Sequence, residues 1–369
     1  GQKNHEMANK SARQALFIIT AISVFIVVLG LAFRAPLLSF IFGKVDADVM
    51  ENSMVYFFYT VLSYPFIALY DAGASIFRAQ ENTRGPMVIS IISNVMNIVG
   101  NGILIWVFHM GVAGAAISTL VSRIFCAVVV LYQLRKNRQP IVVRDYLKIR
   151  PDGKMIGRIL ALGIPSGIEN SMFQLGKLAI QSTVSTLGTT AIAAQAMTNM
   201  LEMLNGTAVI GVGIGLMTVV GQSLGAGRKD EAVYYMKKLM IFSEVFLIAC
   251  CAVVYVLARP ITMIGGMEAK SAEMCLDMMF WITIVKPIVW MFAFIPAYGM
   301  RAAGDVKFSM ITSCITMWTF RFCLCVYLIR VCGMGPMAVW IGMFTDWTVR
   351  AIVFGLRFKS GKWMEHKVV

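Results

Sequence analysis

Residues 225–240 read GAGRKDEAVYYMKKLM and residues 1–16 read GQKNHEMANKSARQAL, and laid over each other they place Gly1 on Gly225 and Ala8 on Ala232 at an offset of 224. The register persists outward from there. Pro36 falls on Pro260 (FRAP against LARP), Arg78-Ala79 on Arg301-Ala302 and Met110-Gly111 on Met334-Gly335, with the offset staying at 223–224. Chance matches do not keep one offset over so long a stretch, so the chain contains an internal repeat.

What is repeated is a set of apolar spans. Of 369 residues, 58% are hydrophobic and 14% charged, with a mean hydropathy of +0.74. A soluble domain has about 45–50% apolar and about 25% charged residues, so an ordinary globular enzyme and a disordered chain are both excluded. A hydrocarbon core about 30 Å thick takes about 20 apolar residues per helix. Ten segments meet that need: 15–34, 53–77, 86–108, 111–134, 157–187, 190–224, 236–257, 272–300, 308–330 and 336–357. None shows the alternation of a membrane barrel strand, so helices are the spanning solution that satisfies the backbone. The predicted class is an all-α polytopic membrane protein.

The net charge of +14 is a property of the loops. Of 33 Lys and Arg, 23 fall in the alternate loops 1–13, 78–84, 135–158, 228–238, 301–307 and 357–369, and only five in the opposite set. The positive-inside rule makes the first set, and both chain ends, cytoplasmic, in a multi-pass protein of the plasma (inner) membrane. The basic balance therefore points to a lipid bilayer as partner and not to nucleic acid. Eight cysteines with no C-x-x-C pair read as packing residues.

Six spans separate Gly1 from Gly225, an even number, so the two copies enter the membrane in the same sense, as parallel repeats. The second copy starts near 157, with two helices before Gly225, whereas none precede Gly1. A 6 + 6 arrangement with two further helices upstream of Gly1 is expected, making the first lobe here a truncated one. The expected organisation is an N-terminal lobe of four helices at 1–134, a basic cytoplasmic joint at 135–156, a six-helix C-terminal lobe at 157–357 and a tail at 358–369. The joint mixes basic residues with Ile, Val, Tyr and Leu, and reads as an interfacial segment lying on anionic headgroups.

Ten ionisable residues lie inside spans: Arg123, Lys177, Lys286, Arg321, Arg350, Asp71, Glu169, Glu202, Glu244 and Asp346. At about 2.5–3.5 kcal/mol each near a helix centre they cannot face lipid, and must face a bundle interior or a watery cavity. In 157–187, Pro165 cannot donate to Ala161, and Glu169 follows four residues later on the same face. Asn170, Gln174 and Lys177 extend this into a polar stripe, with a Glu169–Lys177 or inter-helix ion pair as the purely structural alternative. A carboxylate there can exchange a proton for a cation. Glu202 sits among Met197, Met200 and Met203, adaptable side chains that suit either a core or a cavity of many shapes. Lys286, before Pro287, either holds a carboxylate in its cation-free state or pairs with Glu202. Asp346 and Arg350 have the i,i+4 spacing of a local pair. Asp71, near Arg78, is open to either role.

Enzyme motifs fail on context. Gly221-Gln-Ser223-Leu-Gly225 fits a nucleophile elbow but ends an apolar helix. Gly211-Val-Gly213-Ile-Gly215 has no strand before it. Helix packing through Gly211, Gly215, Gly221 and Gly225 accounts for both patterns. The chain reads as a non-enzyme with no cofactor and no metal centre.

GQSLGAGRKDEA at 221–232, its degenerate copy at 1–8, LGIPSGIEN at 162–170 and DWTVRAIVFGLRFKSGKW at 346–363 together resemble the MATE (multidrug and toxic compound extrusion) transporters. The resemblance runs the length of the chain, from that family's third helix onward. It implies a secondary transporter that exports small organic, often cationic compounds in exchange for H+ or Na+ by rocking of two lobes about a central cavity; a monomer is expected. Where one branch has Asp in an N-x-x-x-D pattern, this chain has Asn97 and Asn101. Glu169 also lies closer to its proline than the family's acid does, so a Na+ site is not assignable. The alternative reading is a flippase for lipid-linked saccharides.

Overall fold

The structure is a computed structural model that describes residues 2–42, 47–136, 140–144, 146 and 149–365. Parts of the segment 34–51, of the joint and of the tail, including His366, lie outside the described residues.

Helices follow one another throughout. In order they are α1 (His5–Ala32), α2 (Arg34–Phe42), α3 (Ala47–Leu62), α4 (Tyr64–Ala79), α5 (Arg84–Gly102), α6 (Gly111–Leu134), α7 (Gly153–Val184), α8 (Thr189–Gly225), α9 (Lys229–Ile264), α10 (Ala269–Ala302), α11 (Val306–Thr316), α12 (Leu324–Arg330) and α13 (Met337–Ser360). A π turn at Ile103–Val107 extends α5, and another at Met317–Cys323 joins α11 to α12. Local chemistry sets the ends. The Asn4 side chain accepts from the Met7 amide at 3.1 Å to cap α1, Asp230 and Glu231 occupy the positive first turn of α9, and Gly361 at φ +70° closes α13.

The repeat is visible in these boundaries. At the offset of 223–224, α1 with α2 corresponds to α9, α3 with α4 to α10, α5 with its π turn to α11 and α12, and α6 to α13. Among the described residues, nine helical stretches are long and apolar enough to cross a membrane. The expected tenth span, 157–187, forms as α7 over 32 residues, but its polar side chains keep it below the apolarity of the others.

Contacts group the chain into one unit at Lys3–Ile159 and a second from Leu160 onward. The first is centred on Leu16, Phe77, Val130, Leu134 and Val143. The second is built around Leu201, Leu216, Leu247, Met279, Trp340, Trp347 and Phe354. Large apolar side chains such as Phe25, Ile98, Val256 and Ile264 are exposed, as lipid-facing helix surfaces require.

One expectation changes here, for two of the glycines, and the joint gains a described attachment. Nothing lies within 4 Å of a Cβ built on Gly211 or Gly215; the close approach is at Gly213, where such a Cβ would sit 2.6 Å from the Tyr298 ring. Gly211 and Gly215 thus face away from the helix contact that Gly213 makes, while a Cβ on Gly221 would meet Ala302 at 3.9 Å, an ordinary contact. The joint, for its part, is stitched into the first unit. Val143 is fully buried and donates to the Leu134 carbonyl, Ile141 N–H donates to Gln80, and the Tyr146 hydroxyl donates to the Leu131 carbonyl at 2.6 Å. Burial pushes that Tyr146 hydroxyl up to about 12.

Candidate functional site

Within the second unit, α7 turns Pro165, Glu169, Gly176 and Ile180 inward. Glu169 is 7% exposed and meets three donors from distant elements. Arg301, in the last turn of α10, donates to its Oε1 at 2.7 Å, Ser313 of α11 donates to the same oxygen at 2.7 Å, and Ser309 lies 3.3 Å from Oε2. The carboxylate is therefore held by one cation and two hydroxyls, as a buried charge needs.

The expected polar stripe divides. Asn170, Gln174 and Lys177 are exposed while Glu169 is buried, so α7 carries two polar faces and no Glu169–Lys177 pair. Lys177 instead lies over the Phe173 ring, 4.9 Å from its centroid.

From Glu169 the network continues. The Ser313 hydroxyl accepts from Arg350 at 2.9 Å, and Arg350 Nε donates to Asp346 at 2.7 Å across the expected i,i+4 step. Arg321 reaches Asp346 at 3.9 Å. Arg321 belongs to the π turn, whose extra residue brings its carbonyl against α13. A Cβ on Gly342 would stand 2.8 Å from that carbonyl. Arg321 and Arg350 also flank Phe173, at 5.0 and 5.8 Å from the ring centre.

A second centre joins α8 to α10. Lys286 is fully buried, and its ammonium donates to Glu202 Oε1 at 2.5 Å, to the Glu202 carbonyl at 3.0 Å and to Asn205 Oδ1 at 2.9 Å. The Trp290 ring lies 5.2 Å away. Glu202 keeps a side-chain exposure of 20%, so this pair has one buried member and one that solvent or solute can reach. The pairing of Lys286 with Glu202 is one of the two arrangements the sequence allowed.

The first unit holds the remaining candidates. Asn101 donates to Asn97 at 3.3 Å, Asn97 donates to Thr119 at 3.2 Å, and Ser118 donates to the Asn97 carbonyl at 3.0 Å. Among the described residues the buried Asn101 Oδ1 has no donor. Asp71 is exposed on α4; Arg78 contacts it indirectly, donating to Ser75, whose hydroxyl donates to the Asp71 carbonyl. Arg123 donates to Ser63 at 2.5 Å.

Sequence reasoning missed Arg301, Ser309, Ser313 and Asn205. Asn205 was within reach, three residues after Glu202 on one helix face. The others lie 132 to 144 residues from Glu169, and no local spacing points to them.

Comparisons with known proteins agree with this architecture. The MatE family model matches residues 1–103 and 165–327. A probable multidrug resistance protein NorM of Thermotoga maritima is 25% identical across all of this chain and 79% of its own length. A probable multidrug resistance protein YoeA of Bacillus subtilis is 24% identical over 93% of this chain and 74% of its own. Among solved structures, an outward-facing multidrug resistance MATE transporter superposes with a TM-score of 0.87 at 18% identity, over 98% of this chain and 81% of that one. A MOP superfamily transporter from Pyrococcus furiosus, described as having a binding pocket of reversed polarity, gives 0.90 at 18% identity over 100% and 82%. These likenesses concern the fold. With the family model covering most of the sequence, the chain belongs to the MatE family of membrane transporters, which are not enzymes.

Proposed function

We propose that this chain is a plasma-membrane secondary transporter that exports small organic, often cationic compounds in exchange for H+ or Na+ by alternating access. In this reading 1–134 and 157–357 are the two lobes, 135–156 joins them, both ends are cytoplasmic and the working unit is a monomer. The names of the NorM and YoeA relatives support the substrate class. The observation that carries the mechanism is the Glu202–Lys286 pair, a carboxylate with 20% exposure neutralised by a cation with none.

A cation that reaches Glu202 competes with Lys286. Na+ would have to displace the ammonium and leave it buried without a carboxylate, at a cost of several kcal/mol. A proton neutralises Glu202 while Lys286 keeps its Asn205 and main-chain acceptors, at 2.9 and 3.0 Å. Glu169 likewise faces a cation, Arg301, that Na+ would have to displace. H+ is thus the coupling ion this arrangement favours. A proton or a substrate biases the protein between its two states only by binding one of them more tightly.

A second reading, a flippase for lipid-linked saccharides, draws on the cations Lys177, Arg321 and Arg350 gathered around Phe173. One experiment separates the two. In proteoliposomes, uptake of a fluorescent lipophilic cation is followed under an imposed pH or Na+ gradient, with Glu202→Gln and Glu169→Gln alongside. Transport driven by the pH gradient and lost in both variants is expected. Folded protein that moves nothing under either gradient would shift the assignment to the flippase.

A further inference from the structure

A cleft of about 860 Å³ opens in the first unit between the start of α1 and the described part of the joint. Its volume falls within the range of small-molecule sites, about 300–1,000 Å³. Its described lining includes Lys10, Arg13, Arg144 and Arg150 and one acid, Glu6. Asp152 binds Lys10 from outside that lining. Arg13 and Arg150 outnumber Glu6, which leaves the described lining net positive.

The walls are built, not loose. On α1, Asn9 accepts from the Val142 amide at 2.8 Å and donates to the Pro140 carbonyl at 3.3 Å. Nearly a turn and a half further, Gln14, only 4% exposed, donates to the Arg150 carbonyl at 2.7 Å and accepts from the Asp152 amide at 3.1 Å. These two carboxamides clamp the joint at Pro140 and Val142 and again at Arg150 and Asp152, so Arg13 and Arg150 are presented from backbone that the clamps hold. The apolar run of α1 begins immediately after, at Ala15 to Ile18, which puts the cleft where the helix leaves the hydrocarbon. Guanidinium groups there match phosphate oxygens in a two-pronged geometry that lysines do not.

We infer that this cleft binds a phosphate group, carried by an anionic phospholipid headgroup or free in solution. The basic loops of a membrane protein attract anionic surfaces in general; what sets this place apart is a concave wall held by uncharged side chains.

The test uses the purified full chain in detergent, with native mass spectrometry counting retained phosphatidylglycerol against phosphatidylcholine, and thermal unfolding read with and without inorganic phosphate. Each basic residue near a membrane surface contributes about fivefold in affinity, so Arg13→Gln with Arg150→Gln is expected to lower phosphatidylglycerol retention by about 25-fold. Lys359→Gln with Lys362→Gln, the same charge change elsewhere, should leave it within twofold. Gln14→Ala, which alters no charge, should also lower it. If phosphatidylglycerol is not preferred but inorganic phosphate raises the unfolding midpoint, and does so only with Arg13 and Arg150 intact, the site stands with a free anion as its ligand. Equal loss in the two charge-matched variants would overturn the proposal, as would the absence of any response to either probe.

Discussion

The two copies of the repeat share a helix order but differ in where they place charge. Every charged residue buried among the described positions, Glu169, Lys286, Asp305, Arg321, Asp346 and Arg350, belongs to the second unit. The buried polar residues of the first are Gln14, Ser23, Ser63, Ser93, Ser118 and Ser122, all neutral. At the offset of 223, Lys286 in one copy stands where Ser63 stands in the other. Backbone follows the same division: the first copy breaks its helices before Pro36 and Pro65, while α9 and α10 run on through Pro260 and Pro287. A shared architecture has thus been given buried ion pairs in the second unit and buried hydroxyl and amide hydrogen bonds in the first. Protonation can rearrange the former and leaves the latter alone.

The largest effect that would break this contrast is at Asp346. Its carboxylate has no exposure and serves both Arg350 and Arg321. Asp346→Ala leaves two buried guanidinium groups uncompensated and is expected to cost about 3–5 kcal/mol in thermal or denaturant unfolding of the detergent-solubilised protein. A loss under 1 kcal/mol would mean that the network is not holding the second unit together.

Next comes the Glu202–Lys286 cycle. Lys286→Met should destabilise by about 3 kcal/mol, near the lower end for a broken buried pair because Glu202 retains some exposure. Adding Glu202→Gln should recover much of that loss, since two neutral groups need no partner charge. Failure of the double variant to recover would assign the Lys286 contribution to Asn205 and the main-chain carbonyl instead.

The corresponding change in the first unit is smaller. Ser63→Ala removes the acceptor that Arg123 reaches at 2.5 Å, a hydrogen bond to a charged group. About 1.5 kcal/mol is expected, by the same unfolding measurement. A cost matching that of Asp346→Ala would erase the distinction between the copies.

How much of this the sequence carried depends on distance along the chain. The spans and the repeat were legible because hydropathy and a fixed offset are properties of the string itself. Asp346–Arg350 was legible because four residues bring side chains to one helix face. The stripe on α7 was misjudged for the same geometric reason: at about 100° per residue, eight residues carry Lys177 about 80° around the helix from Glu169. Arg301 counted as a loop cation, yet it closes on a carboxylate 132 residues away. The polarity of α7, which keeps it below the other spans in apolarity, came from the same side chains that made it a candidate site.

The smallest effect sharpens the comparison at its edge, where the joint is tied to the first unit by Lys10 and Asp152. The Lys10 ammonium, then the Met155 amide, hold the Asp152 carboxyl below its usual value of 3.8. A folded-state value below the unfolded one means the stabilisation is complete above the ordinary carboxylate range and is lost as pH falls through the folded value. Lys10→Gln should therefore be slightly less stable than the parent at pH 7, with the difference shrinking below about pH 4 as Asp152 protonates. Added salt should shrink it too, because the pair is exposed at 50% and 29% and is screened. A difference that grew on acidification would have the wrong sign for a carboxylate paired in the folded state. The joint would then owe its attachment to Asn9, Gln14 and Gln80, neutral hydrogen bonds of the kind that hold the rest of that unit.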